Sequence, residues 1–125
     1  MNWAYNEWDT FKANNKILYD NYMAVAQEQG VTICPVGLAY EAVFDNEGSE
    51  KCNLLYSDNR HPTLTATYLA ACLEYALIYN EPANSINYYP EAISVEEAQS
   101  MRQYENYKIT EFANQKEHKE GKIKF

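Results

Sequence analysis

Positive charge is scarce in this chain, and most of it is gathered at one end. Ten Lys and Arg stand against eighteen Asp and Glu, for a formal charge of −8 over 125 residues. Six of the ten basic residues come after position 101, so the rest of the chain holds no basic patch. Phosphate recognition runs on clustered Lys and Arg, which excludes a nucleic-acid partner and an anionic membrane surface. A bilayer-crossing run is missing as well. The longest apolar stretch, Tyr68 to Tyr79, is broken by Glu74 and is shorter than the roughly 20 residues a membrane helix needs. No signal-peptide pattern opens the sequence as it stands, and a longer parent protein could carry one. Cysteine is sparse: Cys34, Cys52 and Cys72 are odd in number, widely spaced and without a C-x-x-C. That spacing argues against a zinc site or a disulfide framework and for small, buried thiols. No metal and no cofactor is expected.

Tyrosine is the residue in excess, with twelve copies. Such rings could line a sugar-binding cleft. They also suit half-buried helix positions, where the hydroxyl reaches water. Their scatter at helical spacing favours the second reading.

At 125 residues one domain is expected. From Asp9 to Gln29 the apolar residues Phe11, Leu18, Tyr22 and Val25 recur at helical intervals. Asp9 or Thr10 can cap that helix and Gly30 can stop it. Val31-Thr32-Ile33-Cys34-Pro35-Val36 is short, apolar and β-branched, and reads as a buried strand; Trp3-Ala4-Tyr5 reads as the end of another. Helix followed at once by strand predicts an α/β layered fold. Gly37 to Phe44 is a short helix closed by the polar loop from Asp45 to Lys51.

Thr63 to Tyr79 carries the strongest helix signal, with Thr63 as cap and Leu64, Tyr68, Cys72, Tyr75 and Tyr79 along one stripe. Leu69, Leu73, Ala76 and Leu77 widen the apolar surface, so this helix should be packed on two sides before Asn80 and Pro82 end it. Ser94 and Glu97 form a capping box. It opens a last helix with Val95, Ala98, Met101, Ile109 and Phe112 inward. From Asn114 the chain is charged and reads as a frayed tail, with His118 given no role. A single clear strand cannot make a sheet, which predicts that these residues are part of a larger α/β domain.

The chemistry-bearing stretch is Ser57-Asp58-Asn59-Arg60-His61-Pro62. His61 is the histidine outside the tail, and it ends a loop just where a helix begins. Asp58, three residues earlier, can curl back onto one ring nitrogen and leave the other as a base, the base-plus-orienter half of a nucleophilic triad. Structurally, the same residues suit a turn-forming Asp and a ring packed on the helix start. A metal would need more ligands than one His and nearby carboxylates. Glu96 and Glu97, adjacent on a helix, point in different directions and make a poor acid/base pair. No G-x-S-x-G elbow supplies a nucleophile.

Asp58-Asn59-Arg60-His61-Pro62 before a Thr-capped apolar helix resembles the last block of the SGNH (GDSL-type) hydrolases, whose D-x-x-H motif holds the triad acid and base. Ile33 to Ala39 is similar to that family's final core strand and the helix start after it. Leu54-Leu55-Tyr56, Tyr68 to Cys72 and Pro90 to Ser94 look like an uncharacterised branch of it. The resemblance implies a flavodoxin-like three-layer α/β fold of which this chain is the C-terminal part, with residues 1–113 as a partial domain and 114–125 as its tail. It also implies ester hydrolysis, with a carbohydrate O-acyl ester as one candidate substrate. His61 would act as base and then acid, and Asp58 as its orienter. The family's Gly-Asp-Ser block and the Gly and Asn of its oxyanion hole are not in these residues, and Gly48-Ser49-Glu50 lacks the family's Asp. The isolated chain is therefore expected to be inactive, and its open edges to drive self-association or pairing with a missing N-terminal half. The alternatives are a non-catalytic fragment or a small helical interaction module.

Overall fold

Helices gather the apolar positions. A computed structural model of the chain describes residues 11–48, 54, 58 and 60–104. Helix α1 spans Phe11–Gln29, α2 Val36–Glu47 and α3 Leu64–Tyr79; a 3-10 turn follows at Ala83–Ser85, and α4 runs over residues 95–104.

Local chemistry explains each boundary. Gly30 takes the left-handed conformation, φ +66°, that breaks α1, and the next amide, Val31 N–H, donates back to Ala26 O at 3.0 Å. No side chain caps α2. Its first free amides, Leu38 and Ala39, donate to Pro35 O at 3.1 and 3.2 Å, and it ends at Gly48, φ +78°, whose N–H donates to Phe44 O. Thr63 Oγ1 accepts from Ala66 N–H at 3.2 Å to cap α3, and Asn80, left-handed at φ 53°, closes it. Ser94 Oγ accepts from Glu97 N–H at 3.1 Å at the start of α4.

Helix α2 lies in the middle, with α1 on one side and α3 on the other. Seven of its twelve residues are buried, as a helix covered on two faces requires. Phe11 of α1 meets Phe44 of α2 edge to face, ring centroids 4.5 Å apart. Lys12 pairs with Asp45 at 2.5 Å at the same end. Asn15 is nearly sealed, at 1% exposure; its Nδ2 donates to Gly37 O at 2.9 Å and to Glu41 Oε2 at 3.0 Å. Tyr40, wholly buried at the centre, donates its hydroxyl to Ala66 O of α3 at 3.1 Å.

Helix α3 is packed on two sides: α2 covers one, and Ala83 of the 3-10 turn, Ile93, Ala98 and Met101 join its core on the other. Tyr68 adds a hydroxyl bond to Tyr88 O at 2.9 Å, and Arg102 Nη1 donates to Ile86 O at 2.7 Å, tying α4 to the connecting segment.

The α/β layered fold expected from the sequence is not found. The described residues are all-helical with no sheet, so neither the flavodoxin-like three-layer arrangement nor its final core strand is present. Residues 31–35 are instead an irregular link, and Val36 already belongs to α2. Their polar groups are met locally: Val31 N–H bonds Ala26 O, Val36 N–H bonds Cys34 O, and Pro35 O serves α2. Buried Pro35 and Val36 and half-buried Ile33 and Cys34 face the helices, which accounts for the apolar run without any strand partner.

Three stripes also differ; on α3, Tyr68 and Cys72 are buried but Leu64 and Tyr79 are exposed. On α1 the buried face is Phe11, Asn15, Met23 and Ala26, while Tyr22 and Val25 are exposed, because α1 is covered on one side alone. On α4, Ala98 and Met101 are buried but Val95 is exposed. Trp3 to Tyr5, Cys52, Ile109, Phe112 and the tail from Asn114 lie outside the described residues.

Candidate functional site

The loop that carries Asp58 and His61 is pinned at both ends. Leu54 is buried in the core, and its carbonyl accepts from Thr63 N–H at 2.8 Å, so the chain returns to the start of α3 in register. Between these points Asp58 does two jobs. Its Oδ1 accepts from the backbone N–H groups of Arg60 (2.9 Å) and His61 (3.2 Å), the Asx-type turn that short acidic side chains favour. Its Oδ2 meets His61 Nδ1 at 2.5 Å. The His61 ring and, after it, the two backbone donors hold the Asp58 carboxyl at about 2, below its ordinary 3.8.

Asp58 is thus a turn former and a partner to the ring at once. The ring does not pack on the helix start, because the His61 and Asp58 side chains are 71% and 48% exposed. Nδ1 faces the carboxylate, and among the described residues no group hydrogen-bonds to Nε2. The Ser85 hydroxyl donates to Pro82 O at 2.8 Å, and the Ser94 hydroxyl lies at the α4 cap. Glu97, half of the adjacent carboxylate pair, accepts from Thr65 Oγ1 at 2.8 Å and lies 3.4 Å from Ser94 Oγ. It fastens α4 to α3. Ser49 and Ser57 lie outside the described residues.

The pair makes a direct prediction. In an NMR pH titration Asp58 should show its midpoint at about 2, and His61→Ala should move it up toward 3.8. An unmoved midpoint would assign the shift to the two backbone donors. Because the folded value lies below the ordinary one, whatever stability the pair adds is present above that ordinary value and is lost as pH falls toward about 2.

A second feature lies at the far end of α3, about 20 Å along the helix at 1.5 Å per residue. Thr32, Ile33 and Cys34 of the link and Glu74, Leu77 and Ile78 of α3 enclose an open cleft of about 310 Å³. Ile78 is 73% exposed at its rim, and Tyr79 and Val31 are likewise exposed. The rings of Tyr75 and Tyr79, one turn apart, lie 4.9 Å apart and tilted at 42°, and the Tyr75 hydroxyl donates to Glu81 Oε2 at 2.8 Å. Sequence reasoning missed this cleft. The available signal was that Ile78 and Tyr79 carry the apolar pattern of α3 past the point where the core needs it.

Among the described residues no group of three or more His, Cys, Asp and Glu could hold a metal ion, and no helix is long and apolar enough to cross a membrane. Cys34 is half-buried and Cys72 buried, neither in a disulfide. Compared with known proteins, the chain matches no family model, no curated sequence and no solved structure.

Proposed function

We propose that this chain is a small helical interaction module that performs no chemistry by itself. The open apolar cleft between the 31–35 link and the last turns of α3, rimmed by exposed Ile78, carries this reading. A concave, mostly apolar cleft is the default place for a ligand or a partner's side chain to seat. Enzymes, by contrast, place the reacting groups where water is excluded and charge is felt strongly. His61 stands in solvent, on a turn whose hydrogen bonds give Asp58 a structural role of its own.

A second reading rests on one observation, the 2.5 Å contact between Asp58 Oδ2 and His61 Nδ1. It orients the ring as a serine hydrolase's acid–base pair is oriented, so the chain would supply that pair to a nucleophile held elsewhere. A fluorophosphonate probe and a short-chain aryl ester separate the two. The module reading expects no labelled serine and no turnover above a His61→Ala control. Labelling that disappears in that variant would establish the hydrolase.

A further inference from the structure

Among the described residues no Lys or Arg lines the cleft. Glu74 lines it, and Glu81, held by Tyr75, follows directly after α3. Two helices end here, α1 just before the link and α3 at Tyr79, and neither has a basic residue in its last turn. Helix C-termini carry partial negative charge and commonly keep a Lys or Arg nearby to offset it. Glu28 stands in the last turn of α1 instead. The described cations sit elsewhere: Lys12 and Lys16 pair with acids in the first half of α1, Arg60 lies before α3, and Arg102 bonds Ile86 O. Beside Glu81 stand the rings of Tyr75 and Tyr79, and aromatic rings attract ammonium and guanidinium groups.

From this charge complementarity we infer that the cleft docks a basic amphipathic peptide segment of a partner protein, an inference that rests on the module reading above. An aliphatic or aromatic anchor of the partner enters between Ile33, Cys34, Leu77 and Ile78. Lys or Arg residues flanking that anchor meet Glu74, Glu81 and the ring pair. The mode is an apolar anchor in a groove with a charged rim, in which the anchor gives most of the affinity and the rim sets partner choice and on-rate.

The test uses the full chain and a fluorescent helical peptide built of leucine and lysine alone, patterned to be amphipathic. Its control has glutamate in place of lysine. Anisotropy should show saturable binding of the lysine peptide and none of the control. Iodoacetamide labelling, mapped to Cys34 by mass spectrometry, should slow when the lysine peptide is bound. Glu74→Lys and Ile78→Asp change exposed residues and should leave the helical circular dichroism intact. Each should weaken binding by about tenfold, as should raised salt for the charged component. Binding that is absent, indifferent to both variants, or equal for the control peptide would overturn the inference. So would a dimer that shields Cys34 without peptide, which would make a second copy the occupant. Cys34 labelling that speeds up only when the basic residues after position 114 are replaced would assign the cleft to the chain's own tail and would also overturn it. These failures remove the partner class, whereas the module reading falls to fluorophosphonate labelling.

Discussion

Asn15→Asp should lower the unfolding free energy by roughly 3 to 5 kcal/mol at neutral pH, the cost of an unpaired charge in a sealed site. Asn15 Nδ2 donates both its hydrogens, to Gly37 O and to Glu41 Oε2, and so ties α1 to the first turns of α2. Aspartate would put an oxygen where that donor stands, facing a carbonyl and a carboxylate at 1% exposure. Burial and the like charge both favour the protonated form, so the new carboxyl titrates above its ordinary range. The sign follows: the loss is full above that raised value and shrinks as pH falls through it. Urea unfolding at neutral and acid pH measures both. Asn15→Leu is the informative companion, because Oδ1 has no partner among the described residues and an apolar replacement removes that unmet group. It also removes the two bonds that Nδ2 donates, so it should cost less than Asn15→Asp, about 1 to 2 kcal/mol. If Asn15→Asp were as stable as the parent at neutral pH, the helix–helix tie would be dispensable.

Tyr40→Ala should cost about 3 to 5 kcal/mol, as large aromatic deletions from a core do. Tyr40→Phe should cost about 1 kcal/mol, the net worth of the lost bond to Ala66 O. The difference between the two apportions packing and hydrogen bonding at the centre of the fold. Tyr40 also predicts alkaline behaviour. Burial, and after it the neighbouring Cys34, pushes its phenol well above the ordinary 10.0, and burial with Cys72 pushes Tyr68 up to about 12. A raised phenol favours the protonated, folded form. Its contribution is complete below the unfolded value of about 10 and is lost as pH climbs past it. Denaturation followed from pH 8 upward should therefore steepen above about 10 and be shallower in Tyr40→Phe. An identical alkaline slope in that variant would place the sensitivity in other groups.

The helices were legible where capping chemistry and periodicity agreed. Thr63 and Asn80 bound α3 as their residue types suggest, Gly30 stops α1, and Ser94 caps α4. The contact between Asp58 and His61 was also readable, because three residues of turn leave a short carboxylate few other donors to reach. The strand was misread for a definable reason. A six-residue apolar run is equally consistent with a strand and with a buried link, and periodicity cannot separate them. Here Val31 to Pro35 joins two antiparallel helices, and Pro35 supplies a carbonyl to the second one where a strand would need a donor. That misreading produced the layered α/β expectation. The cleft was hidden for a different reason: it depends on which face of α3 the link leaves uncovered, and that is a property of packing angle rather than of spacing.

The order of packing has a kinetic consequence. Helix α1 meets α2, α2 meets α3, and α3 meets the turn after it and, through Thr65 and Glu97, α4, so the described elements pack on neighbours one or two places away in sequence. Chains dominated by such short-range pairings close small loops early and cross low entropic barriers, which places helical domains in the microsecond-to-millisecond range of folding times. The α1–α2 hairpin, with its Phe11–Phe44 and Asn15–Glu41 contacts, can form before α3 exists. The apolar face of α2 that α3 covers is then completed by the next helix in sequence rather than by a distant strand.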